Sequence, residues 1–116
     1  MGSKLSTKAQ QALDLLTTAR RKTDRLHNLV ENYASSGQDL YSSQIGRTAA
    51  ELSRVLMGAG YGPMADYANQ LGTAAKRGGA TQAKFRALRE AVAQLRPAID
   101  RAEKAVYTEE AAAESE

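Results

Sequence analysis

The spacing of apolar residues leaves this chain little choice of secondary structure. Leu5, Ala9, Ala12, Leu16, Ala19, Thr23, Leu26, Val30 and Tyr33 follow one another in alternating steps of four and three residues, and Phe85, Leu88, Val92, Leu95, Ile99, Ala102 and Val106 repeat the pattern near the other end. Each residue of an α-helix advances about 100° around the axis, so these steps keep the side chains on one stripe. No segment alternates apolar and polar residues over the length that a half-buried strand requires. The chain is therefore expected to be all-α.

Turn and cap residues divide the pattern into four helices. The first should run from about Ser6 to Tyr33, with Ser6 or Thr7 accepting from the free amides of the first turn. Gly37 should close it in the left-handed conformation. At about eight turns this helix is long for a small domain, and part of it is expected to project beyond the others. The second should start near Asp39 as N-cap, with Tyr41, Ile45, Ala49, Leu52 and Leu56 on its stripe. Gly46 lies inside it at a cost of about 1 kcal/mol against Ala, which a close helix crossing would explain. Gly58, Gly60 and Gly62 read as a chain reversal, and Pro63 suits a first helical position. The third helix should reach about Lys76, with Met64, Tyr67, Leu71 and Ala74 inward and Gly78 and Gly79 as its stop. The fourth should be capped by Thr81 and reach Tyr107, with a kink at Pro97, which removes a backbone bond and crowds the preceding turn. Short connections favour an antiparallel up-down four-helix bundle with a long first helix and a Pro-kinked fourth helix. A three-helix bundle, with the second and third helices as one broken element, is the runner-up. Residues 1–108 are expected to form a single helical-bundle domain and residues 109–116 an acidic, disordered tail.

The core must be lean. The chain has one Phe and no Trp, and alanine fills many stripe positions, so close helix packing is expected in place of a roomy cavity. No run of about 18 apolar residues exists to cross a bilayer, and Met1 to Lys8 is polar and unlike a secretory signal. The absence of cysteine excludes disulfides and thiolate metal sites. Cytoplasmic localisation is the expectation. Met1-Gly2-Ser3-Lys4-Leu5-Ser6 fits the N-myristoylation pattern, although one acyl chain anchors only marginally.

Net charge is +3, but four of the acids, Glu109, Glu110, Glu114 and Glu116, fall in the last eight residues, leaving +7 on the rest. Arg20, Arg21, Lys22 and Arg25 cluster on the first helix, and Lys84, Arg86, Arg89, Arg96, Arg101 and Lys104 stud the fourth. Asp14, Asp24, Glu90, Asp100 and Glu103 intersperse them, and the aromatics fall mostly on inward stripes. That pattern reads as solvated helix faces ahead of a nucleic-acid surface. His27 is the only histidine, so it cannot form a metal cluster, and no triad partner can be assigned to it. It reads as a surface histidine, with a phosphate-acceptor role as the alternative. The Gly58–Gly62 stretch lacks the Lys, the Ser/Thr and the preceding strand of a phosphate-binding loop. No catalytic, cofactor or metal site is expected, and the chain is not expected to be an enzyme.

From Arg47 to Gly79 the chain carries a small pair, Thr48-Ala49, then Leu52, a turn glycine at Gly60, a stripe of Met64, Tyr67 and Leu71, and an exit of Lys76, Arg77 and Gly78. This segment resembles a histidine-phosphotransfer domain, a four-helix bundle that carries a phosphoryl group between kinase and response regulator. In that frame Ala50 occupies the phosphoacceptor position. Ser53 replaces the Lys that helps hold the phosphoryl group, Arg54 replaces a glycine that leaves room for the regulator, and Gly72 stands where Glu is common. Shifting the frame by four residues puts Arg54 on the histidine and does not restore the acceptor. A methyl group has no nucleophile, so the resemblance implies a degenerate, pseudo-phosphotransfer domain. Such a domain would be a non-catalytic adaptor or regulator in signalling, binding a response-regulator receiver or a histidine kinase through a helix face, or pairing with a second copy. The expected partner surface is Arg47, Glu51 and Arg54 on the second helix with Arg20, Arg21 and Arg25 on the first. A basic module for nucleic acid or an anionic membrane surface is the alternative.

Overall fold

Local signals place the helix ends. In the computed structural model, which describes residues 5–77 and 81–114, Ser6 is extended and its Oγ accepts from the Ala9 amide at 3.1 Å. This opens α1, Thr7–Ser36, and Gly37 closes it at φ 67°, its amide donating to the Tyr33 carbonyl. Helix α2, Asp39–Gly58, has Gln38 as its N-cap, with no side-chain capping bond. Asp39, expected to be that cap, lies one residue further in, where its charge favours the positive end of the helix. Gly60, at φ 86°, makes the reversal into α3, Gly62–Lys76, with Pro63 in the first turn. Gly78 and Gly79, the expected stop of α3, lie outside the described residues, as do Met1 to Lys4 and the side chain of Thr81.

Helix α4, Thr81–Glu114, continues through Pro97 and past Tyr107. The sequence pattern predicts an end at Tyr107 and a disordered tail from residue 109. Residues 109–114 are instead its last turns. Glu and Ala are strong helix formers, and Glu110 accepts from the Ser6 amide at 2.6 Å, joining the last turns of α4 to the start of α1.

Each helix packs on the next in sequence, and α4 returns to pack on α1. Touching two neighbours requires a face wider than one stripe. The stripe residues Leu16, Leu26, Val30, Ile45, Leu52, Leu56, Leu71, Leu88, Leu95 and Ile99 are fully buried, and Leu13, Leu29, Ala65, Ala68, Ala75, Ala91 and Ala98 beside them are buried too. Polar groups inside are satisfied: Thr23 donates to the Ala19 carbonyl at 2.8 Å, and Ser53 to Asn69 Oδ1 at 2.7 Å across the α2–α3 contact. No close crossing explains Gly46, because a Cβ there would meet nothing within 4 Å.

All four helices are flush at one end. Tyr33 stacks edge-on against Phe85 with ring centroids 5.0 Å apart, and the Lys84 ammonium sits 5.1 Å from the Tyr33 ring. Lys84 also donates to Ser42 Oγ, which donates to the Ala75 carbonyl, so one hydrogen-bonded chain joins α4, α2 and α3. The other end is uneven. Helices α1 and α4 have 30 and 34 residues, whereas α2 and α3 have 20 and 15. At about 1.5 Å per residue, α1 outruns α2 by about 15 Å and α4 outruns it by about 21 Å, and the molecule measures 55 × 23 × 18 Å.

Candidate functional site

The basic cluster of α1 divides among three surroundings, because consecutive helical residues point about 100° apart. Arg20 turns to α4: its guanidinium donates to Glu103 through Nε and a terminal nitrogen, and to Asp100 through that same nitrogen. Its proton is held more tightly than usual, first by the hydrogen bond to Glu103 and then by that to Asp100. Lys22 turns to α2 and pairs with Glu51 at 3.3 Å. Arg21 and Arg25 are exposed and have no ion-pair partner among the described residues.

The remaining ion pairs also lie between α1 and α4. Asp24 accepts from Arg96 at 3.2 Å, and Glu31 accepts two bonds of 2.9 Å from Arg89. The Arg89 hydrogen bond holds the Glu31 carboxyl below its ordinary value. These contacts rise along α1 as they fall along α4, from Ser6 with Glu110 to Glu31 with Arg89. The basic residues of α4 that looked like a candidate patch are thus partly spent on the acids of α1. His27 is half-buried and lines a shallow depression in this seam with Glu31, Arg89 and Arg96.

On α2, Arg47 and Arg54 are exposed and unpaired among the described residues, and Glu51 between them is half-buried under Lys22. The Lys22–Glu51 contact joins the two helices that carry four exposed arginines. Arg21 and Arg25 lie within one turn of Lys22, and Arg47 and Arg54 within about one turn of Glu51. Of the six residues expected to form a partner surface, Arg21, Arg25, Arg47 and Arg54 stay outward, Glu51 pairs with Lys22, and Arg20 belongs to the α1–α4 seam.

Ala50 is exposed and lines an open depression between α2 and α3 with Gly46, Asn69, Gly72, Thr73 and Lys76. Its methyl offers no group to accept a phosphoryl or coordinate a ligand. Ser53, three residues on, is buried against α3 through its bond to Asn69, so it holds the helices together and does not face the depression. Sequence reasoning missed this pair. The signal available was Ser53 beside the α2 stripe, with a polar residue at the facing position of α3. Among the described residues no three His, Cys, Asp or Glu side chains gather as a metal ion would require, and no helix is long and apolar enough to cross a membrane.

Comparison of the chain with known protein families, with curated proteins and with solved structures finds no match in any of the three.

Proposed function

We propose that this chain is a helical-bundle binding module that acts by docking and makes or breaks no covalent bond. The observation that carries the reading is four exposed arginines with no ion-pair partner among the described residues, Arg21 and Arg25 on α1 and Arg47 and Arg54 on α2, on helices that the Lys22–Glu51 bridge joins, with the exposed Ala50 between Arg47 and Arg54 in sequence. Guanidinium groups with no internal acid are ready to meet a carboxylate-rich partner surface with bidentate geometry. In the pseudo-phosphotransfer reading that partner is a response-regulator receiver or a histidine kinase, and Ala50 marks an acceptor position with no acceptor. We also take the arrangement to be antiparallel up-down, which the opposed order of contacts along α1 and α4 supports, with α4 bent at Pro97. A cytoplasmic setting belongs to the same reading.

A photo-crosslinking residue at Ala50, with one at the exposed Gln94 as control, tests the docking face in cells. The expected result is an adduct at position 50 with a protein containing a receiver or kinase domain, abolished by Arg47→Glu with Arg54→Glu. Equal adducts at both positions, or a partner with neither domain, would refute it.

The same arginines would suit a polyanion. Four phosphate contacts would give a log–log salt slope of about −3.6 for duplex DNA. Against this second reading, Tyr33 is buried, Tyr41, Tyr61, Tyr67 and Phe85 are half-buried, and the exposed Tyr107 lies on α4, so no aromatic stacking platform accompanies the arginines. Absence of a DNA shift at low salt would remove it.

A further inference from the structure

The protruding end of α1 and α4 lacks half of the layer that surrounds every other part of these helices. Among the described residues, α2 and α3 stop at the turn through Ala59 and Tyr61 and do not follow α1 and α4 further. Where that turn meets α1 and α4 there is an open groove of about 500 Å³ lined by Ala9, Ala12, Leu15, Tyr61 and Val106, with Lys8 and Glu109 among its polar lining residues. Among the described residues, two of the three large apolar side chains that the fold leaves exposed are at this end, Met57 at 54% and Tyr107 at 55%. Lys8 and Glu109 are of opposite charge, and neither has an ion-pair partner among the described residues.

We propose that this end is a self-association surface, closed by the same end of a second copy about a two-fold axis. The geometry favours that occupant, since two helices from each copy complete a four-helix layer that neither copy has alone. The charges favour it as well. In an isologous contact, residue i meets j and j meets i, so one Lys8 and one Glu109 per chain make two cross-subunit pairs. The available face is about 15 Å long and two helices wide, about 300 Å² per copy. That is well under the about 800 Å² per partner of a stable complex, so the dimer is weak and concentration-dependent. This inference concerns the end of the molecule away from Tyr33 and Phe85, and it stands apart from the arginine face.

Sedimentation equilibrium of the full chain from about 10 µM to about 1 mM tests it. The expected result is a monomer at the low end and a dimer at the high end. Tyr107→Lys and Ala12→Glu should keep the helical circular dichroism of the parent and remain monomeric throughout. Lys8→Glu should weaken association about fivefold, and adding Glu109→Lys should restore it. A monomer across the whole range, as when the groove serves a different partner, overturns the proposal. So does an open-ended series of oligomers, a dimer indifferent to Tyr107→Lys, or a charge exchange that fails to restore association. Tyr107 is more than half exposed, so its variant remains informative even if Ala12→Glu fails to fold.

Discussion

Replacing Arg20 or Arg21 by methionine should give opposite results from neighbouring, chemically identical residues. Methionine keeps an apolar stem and removes the charge. Arg20 bridges Glu103 and Asp100, and the three side chains are 38%, 31% and 61% exposed. Exposed pairs contribute about 0.2–1 kcal/mol. The less exposed contact to Glu103 belongs near the top of that range, and the more screened contact to Asp100 near the bottom. Removing the guanidinium also leaves Asp100 and Glu103 three residues apart on α4 as a like-charge pair, costing about 0.2–0.5 kcal/mol. Arg20→Met should therefore cost about 1.4–1.7 kcal/mol, or about 6–7 °C in Tm for a chain of this size. Arg21 has no ion-pair partner among the described residues, so Arg21→Met should stay within about 0.5 kcal/mol. Urea unfolding of both variants and the parent, at low salt and in about 1 M NaCl, measures the difference, and salt should shrink it. Equal costs for the two variants, or an Arg20→Met cost below about 0.5 kcal/mol at low salt, would refute the division of the cluster.

Other substitutions probe the core, the caps and the acid limb. Leu95→Ala, at a fully buried position, should cost about 3 kcal/mol in urea unfolding, whereas Leu40→Ala, 60% exposed, should change little. Gly37→Ala places a Cβ at φ 67° and should lose about 1 kcal/mol, while Gly46→Ala, mid-helix with open space around it, should gain up to about 1 kcal/mol. Both effects are read from unfolding midpoints, and destabilisation by Gly46→Ala would show a contact that the structure lacks. The Glu31 carboxyl is more acidic folded than unfolded because Arg89 holds its anion. The Glu31–Arg89 contribution should therefore be complete above the ordinary carboxylate range, about pH 4.3, and be lost as pH falls through the lower folded value. Arg89→Gln should flatten that part of the acid-unfolding curve, and an unchanged curve would count against the pair.

Much of the fold was legible because helices announce themselves locally. The stripe from Ala9 to Tyr33 is buried or half-buried throughout, Ser6 caps α1, and Gly37 closes it. Misreadings arose where a local rule met a distant partner. Asp39 is a good N-cap by residue type, but the helix begins upon it. Residues 109–114 looked like a fraying tail, yet they continue α4 beside the start of α1, a contact across |i−j| = 104. Ser53 is a buried link to Asn69 on another helix, which its place beside the α2 stripe does not announce. The surroundings of the charged cluster were half legible. Arg21, Arg25, Arg47 and Arg54 remain outward, but nothing in the run Arg20-Arg21-Lys22 says that its first member is engaged by α4 and its third by α2.

Periodicity, caps and turn residues are properties of short segments, and they were enough to specify four helices and the stripe each one buries. Which charge meets which depends on the axial register and rotation of one helix against another. Those are settled only when many apolar side chains pack at once, at separations along the chain of up to a hundred residues. The same holds for the uneven end. Helix lengths can be counted in the sequence, but the meeting of Tyr33, Ser42, Ala75, Lys84 and Phe85 at one end is a tertiary fact, and it sends all the surplus length of α1 and α4 to the other.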